Sequence, residues 1–225
     1  METEGYLSLD GRLRAAANLV PPCALAADIG TDHGQLGAHL LLTGRCARVA
    51  FTDVSAPSLE KAKRLIDRLG LMPRADFYVG DGAQALPFAP DAAILAGMGG
   101  VTIAEIVERG AQALGNATLI MQPNVAVPAL RLRLAGAGYA ICDEDVAFTA
   151  GRYYVLIAAK RGEAYYTRQE ALVGPVLLKK RPPAFEGYAR FRVRVLQKAL
   201  LGAQKAGGGT TGELEEELET WKEVL

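Results

Sequence analysis

The sequence predicts an α/β fold: a Rossmann-like, seven-stranded, mostly parallel sheet with an antiparallel edge hairpin, plus a small helical C-terminal domain. Three observations carry this prediction. Up to about residue 137, short apolar runs bounded by Gly, Asp or Pro alternate with helix-patterned segments, at separations too long for hairpins. Two further strand-like runs are then joined by a short turn. Beyond Gly162 the strand signals stop and helix formers dominate.

Taken in order, residues 8–20 form a helix with Leu9, Leu13, Ala16, Ala17 and Val20 on one face. ALAAD at 24–28 is a buried strand, and the helix at 35–43 is stopped by Gly44. ARVAFTD at 47–53 is the second strand, followed by a helix at 58–69 that Gly70 ends. ADFYVGD at 75–81 and AAILAG at 92–97 are strands three and four. A helix at 101–114, the strand ATLIMQP at 117–123 and a helix at 128–137 complete the alternation. GYAICDEDVAF and GRYYVLIAAK, joined through Thr149-Ala150-Gly151, should pair antiparallel at the sheet edge. After breaks at Gly174-Pro175 and Pro182-Pro183, residues 185–204 read as one long basic helix. A flexible Gly207-Gly208-Gly209 turn leads to an acidic helix at 213–225, so the end of the chain should form an antiparallel helical hairpin. The expected division is residues 1–161 and residues 162–225.

A chain of 225 residues that is 50% apolar can bury a substantial core. No window approaches the roughly 18 apolar residues of a membrane span, and METEGYLSLD lacks signal-peptide order, so the expected compartment is the cytoplasm. Cys23, Cys46 and Cys142 form no CxxC, and His33 and His39 have no cysteine beside them in sequence, so no metal site is expected. The net charge of zero conceals segregation. Residues 1–159 carry 13 basic and 16 acidic side chains, residues 160–205 carry 11 and 3, and residues 206–225 carry 1 and 6. The basic middle block suits a polyanion.

Ligands of open parallel sheets bind beyond the carboxyl ends of the strands. Those ends carry Asp28-Ile29-Gly30-Thr31-Asp32-His33-Gly34, then Asp53, Asp81-Gly82, Gly97-Met98-Gly99-Gly100 and Gln122-Pro123-Asn124. A dinucleotide fingerprint needs glycine where Asp32 stands, and a carboxylate there repels a pyrophosphate. It tolerates a ligand bearing an ammonium and a sulfonium, as S-adenosyl-L-methionine does. Bare backbone at Gly30 and the acceptor Asp28 suit the amino-acid end of that molecule, Asp53 suits a ribose diol and Asp81 an adenine amino group. Taken singly, Asp28 could serve only its own loop, and Asp53 and Asp81 could serve only as helix caps.

ADIGTDHG at 27–34, LAGMGG at 95–100, LIMQPN at 119–124 and VGPVLLKK at 173–180 resemble the bacterial tRNA adenine-22 N1-methyltransferase family over about residues 7–205. The resemblance implies a class I S-adenosyl-L-methionine-dependent domain followed by a coiled-coil-like helical domain. Its cofactor positions fall on Asp28, Gly30, Gly34, Asp53, Val54, Asp81, Gly82, Gly97 and Met98. Two blocks depart from the family pattern: DVSAPSL replaces D-V-N-x-G-P-L, and Tyr154-Val155-Leu156-Ile157 replaces Y-E-I-I.

An adenine N1 becomes cationic as it takes a methyl group, so alignment and a nearby acceptor matter more than a general base. Asp32 is the first candidate for that role, with His33 and Asn124 as orienters; Asp32 and His33 could instead only rigidify the loop. Lys179, Lys180, Arg181, Arg190, Arg194 and Lys198 are the candidates for gripping tRNA, although Arg190, Arg192 and Arg194 cannot all face one ligand. A monomer is expected. The competing expectations are a methyltransferase for another RNA site or a small molecule, and a noncatalytic RNA-binding protein with a degenerate fold.

Overall fold

A computed structural model of the chain describes residues 7–205 and 211–225. The Gly207–Gly209 turn lies outside the described residues. The first helix, α1 (Gly11–Leu19), starts where the Asp10 carboxylate accepts from the Leu13 amide, a side-chain N-cap. Five parallel strands follow with their crossovers: β1 (Cys23–Ile29), α2 (Gln35–Leu42), β2 (Cys46–Asp53), α3 (Ala56–Arg68), β3 (Ala75–Val79), β4 (Ala92–Met98), α4 (Gly100–Arg109), α5 (Ala111–Leu114), β5 (Thr118–Pro123) and α6 (Val127–Gly136). Then come β6 (Tyr139–Thr149), β7 (Arg152–Arg161), α7 (Arg168–Val173), α8 (Leu177–Lys180), α9 (Phe185–Lys205) and α10 (Gly212–Glu223).

The strand order is β3-β2-β1-β4-β5-β7-β6, seven strands in one sheet. β1 to β5 run parallel, and β7 enters antiparallel between β5 and β6. The order reverses between β1 and β4, where a crevice opens. The edge hairpin turns through Ala150 and Gly151 at φ of 49° and 74°, the two left-handed positions that a tight hairpin turn needs.

The structure adjusts several expected boundaries. The helix expected over 101–114 is two helices that meet at Gly110, whose φ of −89° and ψ of 7° leave helical geometry and which packs so closely that a Cβ there would sit 2.5 Å from the Ala83 Cβ. β3 stops at Val79, where the next amide, Gly80, bonds to the Asp53 carbonyl, so Asp81 lies in a turn instead of on the strand. α3 begins at Ala56 with Ser55 as its cap and Pro57 in the first turn.

Two apolar layers sandwich the sheet. One packs α1, α2 and α3 against it around Leu40, Phe51 and Ile94. The other holds α4, α5 and α6 and continues without a break into α9 and α10, through Val146, Val155, Phe185, Tyr188 and Trp221. α9 and α10 run antiparallel, with Tyr188 against Trp221 at one level and Arg192 bonded to Glu217 at the next. This is the expected helical hairpin, laid against the β6–β7 edge. Among the described residues, no helix is long and apolar enough to cross a membrane.

Candidate active site

The loop after β1 is anchored at its start by backbone bonds to β2. The Gly30 and Thr31 amides both donate to the Thr52 carbonyl at the end of β2, at 2.8 and 3.1 Å. Gly30 has φ 69°, a backbone that L side chains rarely adopt, and this, more than the movable Met98 methyl 2.1 Å from where a Cβ would go, selects glycine. Asp32 adopts φ 47° without being glycine, which Asp tolerates better than bulkier residues. Gly34, at φ 70°, starts α2 and packs where a Cβ would meet the Ala62 Cβ at 2.8 Å.

Asp28 is 4% exposed. Its Oδ2 accepts from the Thr31 hydroxyl at 2.9 Å and from the Gly37 amide at 3.0 Å. Burial pushes its carboxyl up to about 6, and Asp53 adds to the rise, while the two hydrogen bonds oppose it. Asp53 accepts from the Asp32 and Ser55 amides, at 3.2 and 2.8 Å. It therefore ties the first two loops together, and the cap of α3 is Ser55 instead. Asp81 caps no helix with its side chain; it pairs with Arg109 of α4 at 2.6 Å. Val54 is largely exposed beside Asp53, and Gly82 at φ 60° abuts Ile106.

A cavity of about 740 Å³ opens at the crevice, lined by Asp28, Gly30, Asp32, His33, Gly97, Met98 and Asn124 among the expected residues. Asp53, Val54, Asp81, Gly82 and Gly34 are outside this lining, on the β2, β3 and α2 side of it. Asp32 Oδ2 lies 3.3 Å from His33 Nε2, both side chains more than half exposed. The Ser58 hydroxyl lies 3.5 Å from the other Asp32 oxygen.

Arg12, Arg152, Tyr153 and Tyr154 also line the cavity, and none of them was among the residues expected from sequence. Arg12 Nη1 donates to Gln122 Oε1 at 2.6 Å, with its guanidinium 5.8 Å from the Tyr154 ring centroid. Gln122 is fully buried in β5. The signal for it was a lone amide in an otherwise apolar strand, since a buried polar group needs partners. The Gly97 amide donates to the same Gln122 oxygen at 3.1 Å, Gln122 Nε2 donates to Asn124 Oδ1 at 3.0 Å, and Asn124 Nδ2 donates to the Gly97 carbonyl at 2.7 Å. Gly97 reaches both side chains because the β4–β5 register shifts between Ala96 and Met98, with Gly97 itself at φ 81°.

The cations expected to grip tRNA divide into two sets. Lys180 bonds to Asp143 at 2.8 Å and to the Glu144 carbonyl, Arg181 bonds to the Val224 carbonyl and stacks on Phe185, and Arg190 pairs with Glu186 within α9. Lys179, Arg194 and Lys198 are exposed and make no ion pair among the described residues. Arg192 turns inward to Glu217, and Arg168 pairs with Glu216, so the acidic helix neutralises part of the basic block. Among the described residues no group of three His, Cys, Asp or Glu side chains could hold a metal ion.

A family model described as a methyltransferase domain matches residues 9–157. The chain is 33% identical over 187 residues to tRNA (adenine(22)-N(1))-methyltransferase of Bacillus subtilis, covering 80% of this chain and 79% of that protein. It superposes on the crystal structure of the B. subtilis m1A22 tRNA methyltransferase with a TM-score of 0.85 and 29% identity, over 97% of this chain and 99% of the other. A Streptococcus pneumoniae chain solved in complex with S-adenosyl-L-methionine matches with a TM-score of 0.87 and 27% identity, over 97% and 100%.

Proposed function

Because this chain belongs to the tRNA (adenine(22)-N(1))-methyltransferase family, we propose that it transfers the methyl group of S-adenosyl-L-methionine to N1 of adenine 22 in tRNA. The observation that carries this reading is the cavity where Asp28, Asp32, Gly97 and Asn124 meet at the carboxyl ends of β1, β4 and β5.

The residues fit the methyl donor. Bare backbone at Gly30, a buried carboxylate at Asp28 and a second carboxylate at Asp53 form a cradle for a cationic amino-acid end and a ribose. S-adenosyl-L-methionine supplies an electrophilic methyl on a sulfonium. The adenine N1 lone pair forms the new C–N bond as the C–S electrons return to sulfur, leaving the base cationic. No proton has to leave N1, so the chain's own groups orient the base and offset charge. Asp32 faces the developing cation with His33 beside it, and Asn124 orients the base. Gly97 and Met98 border the methyl, while Asp81 and Gly82 border the donor's adenine. The α-helical segment 162–225 grips the tRNA backbone through Lys179, Arg194 and Lys198, with Lys180, Arg181 and Arg190 secondary because each already has an internal partner. Arg152, exposed at the cavity mouth, meets a phosphate near the target base. The enzyme works in the cytoplasm as a monomer.

Nucleoside mass spectrometry of unmodified tRNA incubated with the protein and S-adenosyl-L-methionine tests this. The expected product is 1-methyladenosine, absent when adenine 22 is replaced by guanine. N6-methyladenosine, methylation at another position, or tRNA binding with no product each overturns the reading.

A further inference from the structure

We infer that Arg12 and Gln122 are positioning residues for base choice: together they fix the amide of Asn124 so that its oxygen accepts from the 6-amino group of the target adenine. The inference rests on the function proposed above and adds which group reads the base.

Amide orientation follows here from groups that have only one hydrogen-bonding character. Arg12 can only donate, and so can the Gly97 backbone N–H. Both reach the same atom of Gln122, at 2.6 and 3.1 Å, which makes that atom the oxygen. The Gln122 NH₂ must then face Asn124, 3.0 Å away, so the facing atom of Asn124 is its oxygen. The other end gives the same answer independently. The Gly97 carbonyl can only accept, and at 2.7 Å it takes an N–H from Asn124. A third bond, from the Asn124 amide to the Met98 carbonyl at 2.8 Å, fixes the backbone beneath.

Two sites on Asn124 remain unused by these contacts: one oxygen lone pair and one N–H, on an exposed residue lining the cavity. Asn pairs with adenine through N6 and N7. Recognition on that edge leaves N1 free to face a methyl donor. Guanine presents a carbonyl at position 6, which the locked oxygen repels. Gln122 is buried completely, so an inverted network would set Arg12 and the Gly97 N–H against an NH₂ group. That cost is what makes the lock hold.

The test compares single-turnover methylation of tRNA carrying adenosine at position 22 with tRNA carrying purine ribonucleoside there, which lacks the 6-amino group. The lower basicity of purine N1 is common to all variants and cancels when their preferences are compared. Gln122→Glu keeps acceptors for Arg12 and Gly97 but cannot donate to Asn124. We expect it to lose roughly tenfold of the wild-type preference for adenosine, the worth of about one base-edge hydrogen bond. The loss should fall on the adenosine substrate alone, with S-adenosyl-L-methionine affinity and melting temperature retained. Arg12→Met, at a partly exposed site, leaves the Gly97 N–H as the remaining donor to Gln122 Oε1, so it should move the same way by a smaller factor, and Arg12→Lys, still a pure donor, should restore the preference. Equal slowing on both substrates, or an unchanged preference, overturns the relay. If the wild-type enzyme methylates neither tRNA, the proposed function itself falls and the relay with it.

Discussion

Arg131 and Glu144 form an ion pair sealed from solvent, Nε to Oε1 at 2.9 Å, with side chains 1% and 0% exposed. Glu144 Oε2 also accepts the Val176 and Leu177 amides, at 2.9 and 3.2 Å, and Arg131 Nη1 donates to the Ala171 and Leu172 carbonyls. The pair thus joins α6 and β6 to the segment that carries α7 and α8. Gly174 sits against it, where a Cβ would be 2.6 Å from Glu144 Oε2.

Removing one partner should cost stability heavily. Glu144→Ala is expected to lose about 3–5 kcal/mol in denaturant unfolding, since it strands a buried guanidinium. An apolar double replacement, Arg131→Met with Glu144→Leu, should not recover the loss, because the backbone groups at 171, 172, 176 and 177 would go unpaired as well. Recovery to wild-type stability would show that the backbone bonds contribute little.

Asp28 gives a pH dependence of definite sign. Its folded value of about 6 stands above an unfolded value of about 3.9, so between these the folded chain binds more protons. Stability therefore falls as pH rises through this window, and at neutral pH the buried carboxylate costs about 3 kcal/mol. Cofactor affinity should run the opposite way. The ammonium of the donor favours the ionised form, so calorimetric affinity should weaken by about tenfold per pH unit below about 6. An affinity flat from pH 5 to 8 would remove Asp28 from contact with that ammonium.

Asp32→Asn separates chemistry from loop shape. Asn accepts the left-handed backbone at this position, so cofactor binding should survive, while the methyl-transfer rate drops by about 10- to 1,000-fold if the carboxylate faces the charged base. Near-normal turnover would reduce Asp32 and His33 to loop architecture.

Charge removal on the helical hairpin should sort by pairing. Substituting Lys179, Arg194 and Lys198 together with Gln should weaken tRNA binding and reduce the salt slope by about one for each phosphate no longer neutralised. Arg190→Gln, which only breaks an exposed ion pair with Glu186 within α9, should change affinity far less. Filter binding across a salt series measures both; equal effects would erase the distinction between paired and free cations.

The alternation of strands and helices was legible because buried parallel strands are apolar runs and their crossovers carry helical periodicity, and the acidic strand ends followed from counting along that alternation. Asp28, Asp32 and Asn124 were found this way, and they line one cavity. Arg12 was not, because it lies on a helix 110 residues from its partner Gln122, and nothing local marks the pairing. The split at Gly110 was missed for a similar reason: a glycine inside a helical pattern announces its close neighbour only when Ala83 is seen against it. The direction of Arg192 toward α10 and of Arg194 toward solvent likewise depends on where the acidic helix docks.

The register shift beside Gly97 bears on laboratory evolution of this enzyme. At this point a main-chain amide and carbonyl hold the side chains of Gln122 and Asn124, groups that no codon change at position 97 can redecorate, while its φ of 81° strains any residue but glycine and a Cβ would press on the Arg12 guanidinium at 3.2 Å. A library aimed at Gly97, or at Gly100, where a Cβ would lie 2.5 Å from the Ala126 carbonyl oxygen, should therefore return inactive clones. Altered base preference should emerge instead from joint variation at 12, 122 and 124, where the fold brings a residue of α1 against two near neighbours at the end of β5 and the three must change in concert.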